Sequence, residues 1–194
     1  MGLYSGKIFI MKEISVIEWL KIYFDKPNLK ERKLNPIIHF SLLWNLFEHT
    51  YFTDKHRLNS EELPNLAEVS CNSLSDEELN SIFNQFKKRY IKESLVNRNF
   101  NSLGLCKKLH GELLSNFDFC KEILISNNPT KSDMTKVVLL IIHRFRNNLF
   151  HGRKDPIKLN TYEKQFKWIN NFLMHFIETT SKNDTINSSR YKTT

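Results

Sequence analysis

The sequence predicts an all-α protein, a single helical bundle of about five or six helices. Gly and Pro number only 5 each in 194 residues, which leaves little punctuation for a turn-rich β architecture. Apolar residues recur at three- and four-residue steps in several long segments, and no segment reads as a convincing strand. With 40% apolar residues the chain is long enough to fill one core and too short to expect two. Residues 1–180 are therefore read as one domain and 181–194 as a polar, disordered tail.

In chain order, Val16 to Phe24 is apolar at most positions and forms a short helix, ended by DKPNLKERKLNP with Pro27 and Pro36. Pro36 stands where a first helical residue belongs, so a second helix is expected over Pro36 to Phe52. Thr53 to Ser73 is mixed and polar and reads as a long connection with at most a short helical turn. Ser75, three residues before Glu78, has the spacing of a capping box and opens a helix through SDEELNSIFNQFKKRYIKESL. Its buried stripe is Leu79, Ile82, Phe83, Phe86, Tyr90 and Ile91. Two weaker helical patches follow, LCKKLHGELL and FDFCKEILI, with Gly104 and Gly111 lowering their propensity.

A strong helix then begins, capped by Ser132 or Asp133 and carried by MTKVVLLIIHRFRNNLF to about Phe150, with Gly152 placed to stop it. The last helix starts near Asn160 and turns Tyr162, Phe166, Ile169, Leu173, Phe176 and Ile177 to the core. The terminal SKNDTINSSRYKTT is polar and non-periodic.

A net charge of +8 points to a polyanionic partner such as RNA, DNA or an acidic protein. An AT-rich coding sequence, which favours Lys, Asn and Ile, gives the same balance, and charge alone does not separate the two. Cys71, Cys106 and Cys120 are too few and too far apart for a disulfide framework or a CxxC zinc site and read as reduced thiols. No apolar run reaches the length of a bilayer span, and the start MGLYSGKIFIMKEIS lacks a signal-peptide core. A cytoplasmic protein with no membrane association is expected.

The strong helix ends in RFRNNLFHG, Arg144 to Gly152. Taking His151 as reference on an ideal helix, Asn147 lies about 40° away, Arg144 about 20° and Asn148 about 60° on the other side. These four share a face, and Ile142, Phe145, Leu149 and Phe150 are assigned to the core. Upstream, Val137, Val138, Leu140, Ile141 and Ile142 leave no polar side, so the helix is surrounded by protein and its polar end emerges in a cleft or at an interface. Favourable interaction of Arg and His with the helix C-terminus explains part of the pattern. It does not explain two asparagines, which are poor helix formers and gain nothing from the dipole.

The run Arg146-Asn147-Asn148-Leu149-Phe150-His151-Gly152 resembles the signature of the HEPN superfamily, an Arg followed four to six residues later by His, with a polar residue directly after the Arg in many members. The context strengthens the likeness: the motif ends an apolar helix, and an earlier helix carries LLWNLFEH, similar to the aromatic and acidic helix of many such domains. The resemblance covers about Pro36 to Ile177. The same loose spacing also fits Arg144 to His151. It recurs at Arg32 to His39, RKLNPIIH, where Pro36 in the middle argues against a continuous helix.

The resemblance implies a helical bundle that commonly dimerises with its motifs facing each other, and frequently a metal-independent endoribonuclease acting as a toxin or anti-phage effector. RNA carries its own nucleophile, the 2′-hydroxyl, so cleavage needs a proton acceptor, a proton donor and stabilisation of charge at phosphorus. Imidazole ordinarily titrates near neutrality and can do the first two, and His151 is the candidate. Arg146 is assigned the phosphate and Arg144 a supporting part, although Arg144 lies nearly in line with His151 and Arg146 about 140° away. Asn147 would position His151 or the phosphate, being four residues from it. Glu48 is the remaining candidate, set to orient either arginine, with Asn148 in support. His39, His49 and His143 flank apolar segments and read as core or boundary residues. No metal and no cofactor is expected.

The expected products end in 2′,3′-cyclic phosphate, and the expected partners are RNA, a second copy of the chain and an antitoxin or regulatory protein. In some members a tyrosine two residues after the His is nucleotidylated; Arg153 stands there, so the likeness does not extend to that route of neutralisation. The alternative reading is a non-catalytic helical module that binds RNA, a nucleotide or a protein and keeps His151 as a helix cap.

Overall fold

The computed structural model describes residues 15–25, 27–52, 62–105, 116–151 and 161–181. Among them the chain forms α1 (Val16–Tyr23), α2 (Glu31–Tyr51), α3 (Glu62–Ser70), α4 (Asp76–Tyr90), α5 (Arg98–Asn101), α6 (Asn116–Ile125), α7 (Lys131–Phe150) and α8 (Glu163–Thr180). A 3-10 turn at Cys71–Ser73 extends α3, and a hairpin of β1 (Ile91–Lys92) and β2 (Leu95–Val96) follows α4. The protein is all-α as the sequence predicts, with eight α-helices among the described residues in place of the five or six expected. Gly152, the Asn160 start of α8, the stretch Cys106–Leu114 and the tail from Lys182 lie outside the described residues.

α7 is the central element. Every residue from Val137 to His143 is buried, and α3, α4 and α6 pack along its length. Burying each such aliphatic side chain contributes about 1.5–3 kcal/mol, so this helix is held by packing rather than by its β-branched sequence. Its cap is neither Ser132 nor Asp133. Thr130 Oγ1 accepts from the Asp133 backbone N–H at 3.1 Å and donates to Asp133 Oδ2 at 2.7 Å, a reciprocal cap that starts the helix two residues earlier than Asp133.

α2 and α8 form the other main pair, joined by aromatic contacts of Phe40 with Phe166 at 5.0 Å and of Phe47 with Phe176 at 5.7 Å. The Tyr51 and Thr180 hydroxyls are hydrogen-bonded at its far end. α2 begins at Glu31, five residues before the expected start, so Pro36 lies inside it and Arg32 to His39 is a continuous helix after all. An interior proline costs about 3 kcal/mol of helix propensity. Here Leu34, Pro36 and Ile37 are all buried, which offsets that cost.

Two further departures have the same origin in packing. The expected connection from Thr53 to Ser73 holds α3, whose Leu63, Leu66 and Ala67 seat it against α7. The helix expected to run past Tyr90 stops there: Glu93 and Ser94 have φ of 52° and 60°, and the chain turns back with Ile91 opposite Val96. α4 otherwise keeps its expected capping, with Ser75 Oγ accepting from Glu78 N–H at 3.2 Å, and its expected buried stripe from Leu79 to Tyr90. Cys71 and Cys120 are buried free thiols, and burial pushes the Cys120 thiol well above its ordinary value.

Candidate functional site

The last two turns of α7 carry their polar side chains in two opposite directions. On one side, Arg144 Nε donates to the Leu103 carbonyl at 3.2 Å and Asn148 Nδ2 donates to the same oxygen at 3.1 Å. That carbonyl belongs to the turn Leu103–Leu105, where Gly104 takes the left-handed φ of 68°. Leu103 and Leu105 on either side of it are buried. A backbone oxygen held inside a core needs a donor, and two donors from α7 pin this turn in place. Asn148, 5% exposed, is thus a structural tie to a loop, on the face that it was expected to share with Arg144.

On the other side, Arg146 Nη2 meets Glu48 Oε1 of α2 at 3.3 Å, and its Nη1 donates to Asn147 Oδ1 at 3.1 Å. The Arg146 guanidinium also lies 5.5 Å from the ring centre of Phe150. Phe150 was assigned to the core and is instead 52% exposed; it lines the arginine rather than the interior. Glu48 orients Arg146 rather than Arg144, which is the choice the expectation left open.

Asn147 continues the chain of contacts inward. Its Nδ2 lies 3.2 Å from His143 Nε2, one turn back along α7. The expected partner was His151, one turn forward. His151 stands at the C-cap with φ of −94° and ψ of 18°, outside the helical geometry that brings side chains at i and i+4 together. The link to His151 runs through the backbone: the His151 N–H donates to the Asn147 carbonyl at 3.0 Å and closes the helix.

His143, expected to be a core or boundary residue, belongs to the core. It is 8% exposed and stacked on Trp44 of α2, ring centres 6.1 Å apart. Burial, and then the positive charges of Arg146 and Arg144, lower its imidazole from 6.5 to about 4. The ring is therefore neutral near pH 7, and Nε2 can accept the Asn147 Nδ2 donation. That leaves Asn147 Oδ1 to accept from Arg146, so the four groups are mutually consistent. The signal for His143 was present in the sequence, since it stands four residues before Asn147.

His151 occupies the C-cap position and is exposed to solvent. Of the six residues singled out, the structure joins Arg146, Asn147 and Glu48 in one network and sets Arg144 and Asn148 on a different contact. His151 closes the turn above them. Among the described residues no group of three or more His, Cys, Asp or Glu side chains is placed to hold a metal ion, and no helix is long and apolar enough to cross a membrane.

The architecture and this helix end define an all-helical protein with a basic, histidine-bearing polar site at one pole of its central helix. In comparison with known proteins, the chain matches no family model, no curated protein and no solved structure.

Proposed function

We propose that the protein is a metal-independent endoribonuclease of HEPN type that cuts cellular RNA, in the manner of a toxin or anti-phage effector. The observation that carries this reading is the pairing, within one and a half turns of α7, of an arginine held by Glu48 and Asn147 with a solvent-exposed histidine. A guanidinium fixed on one edge by a carboxylate keeps its charge and further N–H groups for a phosphate. An exposed imidazole can exchange protons with water and substrate.

In this reading the 2′-hydroxyl attacks the adjacent phosphorus and the bond to the 5′-oxygen of the next nucleotide breaks. One imidazole takes the proton of the nucleophile and one returns a proton to the leaving oxygen. Two copies of the chain, each contributing His151, supply both, which is the reason to expect a homodimer. Arg146 stabilises the charge gathering on the non-bridging oxygens. Asn147 and Glu48 hold Arg146, and Arg144 adds positive potential nearby. The net charge of +8 favours the encounter with RNA. A cytoplasmic location, and an antitoxin or other regulatory protein that restrains the activity, belong to the same proposal.

The test is cleavage of total tRNA and mixed-sequence RNA by purified protein in excess EDTA, beside His151→Ala and Arg146→Ala. Cutting by the wild type alone, leaving 2′,3′-cyclic phosphate ends, is the expected result. A second reading, a non-catalytic module binding RNA, a nucleotide or a protein, draws support from the use of Arg144 and Asn148 as loop ties. Binding without cutting would select it.

A further inference from the structure

A groove of about 480 Å³ runs between the first half of α2 and the middle of α8, and none of the residues in the α7 network lines it. Its size is that of a site for a small organic ligand. Leu42, Leu43 and Met174 form apolar wall, and Leu42 and Met174 are 67% and 50% exposed, more than a folded surface needs to show. Arg32 and Lys167 line the same groove, and Lys33 stands next to Arg32. Glu163 salt-bridges Lys167 at 2.7 Å, its carboxyl lowered first by that hydrogen bond with the charges of Lys33 and Arg32 adding to the effect, and Glu31 stands on the other side of Arg32. Three cations against two carboxylates leave this end of the groove with a net positive charge.

The third feature is Asn170, which lines the groove and is only 6% exposed. Its Nδ2 donates to the Pro36 carbonyl at 2.8 Å, which fixes the orientation of the amide. Its Oδ1, buried, has no hydrogen-bond partner. Buried acceptors are rarely left unpaired, and a donor reaching this one from the groove would pair it. Apolar wall, positive rim and unpaired acceptor are independent of one another and lie in one cavity.

We infer that this groove is a binding site for a small amphipathic anion: an aromatic or similarly flat apolar body carrying an N–H donor for Asn170 Oδ1 and an acidic head for Arg32 and Lys167. The apolar body rests on Leu42, Leu43 and Met174. The site is separate from the α7 network, and its occupancy does not depend on whether the protein cuts RNA.

Anilinonaphthalene sulfonate has all three parts, and phenylnaphthylamine has the same rings and N–H without the sulfonate. Fluorescence titration of the full chain with each dye is the experiment. The sulfonate is expected to bind saturably, one molecule per chain, and more tightly than the neutral dye. Leu42→Glu should raise the Kd of both dyes at least tenfold, and the double variant Arg32→Glu, Lys167→Glu should do so for the sulfonate alone. These side chains are exposed, and circular dichroism confirms that each variant folds. The side-chain amide signal of Asn170 in a nitrogen–proton correlation spectrum should move on binding. Sulfonate binding that ignores Leu42→Glu would place the dye on another apolar surface, such as Val16 to Tyr23 of α1, and overturn the site. Equal affinity for the two dyes, or an unmoved Asn170 signal, would overturn the ligand chemistry assigned to it.

Discussion

Arg144 and Arg146 stand two residues apart on one helix and have opposite fates. Arg144 is turned toward a loop carbonyl that it shares with Asn148, and Arg146 is turned toward a carboxylate on another helix and an exposed phenylalanine. The Arg144 bond holds a buried loop carbonyl together with Asn148, so its side chain is committed to a structural contact. An ion pair whose side chains are 29% and 30% exposed is easily remade with another anion. The comparison teaches that angular position relative to His151 does not settle what each arginine meets; the elements packed on either side of the helix do.

The strongest way to break the contrast is to remove each side and measure RNA cleavage. On the ribonuclease reading, His151→Ala should lower the rate by about a hundredfold or more, as loss of acid–base help commonly does, with the thermal midpoint little changed. Arg146→Ala should behave alike. If Arg144→Ala abolishes cleavage in a fully folded protein while Arg146→Ala does not, the two arginines have been assigned the wrong way round.

The next effect is on stability against pH. His143 titrates at about 4 in the folded protein and ordinarily near 6.5, so the unfolded chain binds the extra proton in that interval. Stability from this group is complete above about pH 6.5 and is lost as the pH falls toward 4, by up to about 3 kcal/mol. Urea unfolding from about pH 7 down to about pH 4 should show the loss, and His143→Phe, which retains a ring against Trp44, should flatten the curve over that range. An unaltered slope in the variant would show that other groups govern acid unfolding.

Smaller again is the loop tie. Asn148→Ala removes one of two donors to Leu103 while Arg144 still pairs that oxygen, and should cost about 0.5–1.5 kcal/mol in chemical unfolding, with cleavage by the folded fraction unchanged. The smallest effect belongs to Glu48→Gln. The partly exposed pair with Arg146 should contribute no more than about 1 kcal/mol, so a larger loss in the unfolding midpoint would mean that Glu48 carries the α2–α7 contact rather than orienting an arginine.

What was legible in the sequence follows from which forces act locally. The all-α class, α4 with its Ser75 cap and the apolar girth of α7 were readable because periodicity and capping are written in neighbouring residues. The start of α2 was not, since Pro36 reads as a boundary and only burial against α8 makes it an interior residue. The β1–β2 hairpin was hidden too: a turn with two positive φ angles usually announces itself with Asn-Gly or Asp-Gly, and here Glu93-Ser94 makes it. At the site, Arg146, Asn147 and Glu48 were found and brought together. Phe150 was misplaced because ideal angles locate a side chain on a helix without saying where the neighbouring helices end. The burial of His143 is legible in its apolar surroundings, whereas its contact with Asn147 depends on where the side chains of α7 settle against Trp44 and Arg146.

The burial of α7 on all sides gives it a dynamic character as well as a structural one. Amides between Val137 and His143 are expected to exchange with solvent only when most of the molecule opens, whereas the amide of His151, bonded to the Asn147 carbonyl at the helix end, is expected to exchange by local fraying. Deuterium uptake along α7 should climb steeply within its last turn, and a ligand anchored there would be read most directly as a slowing of that climb.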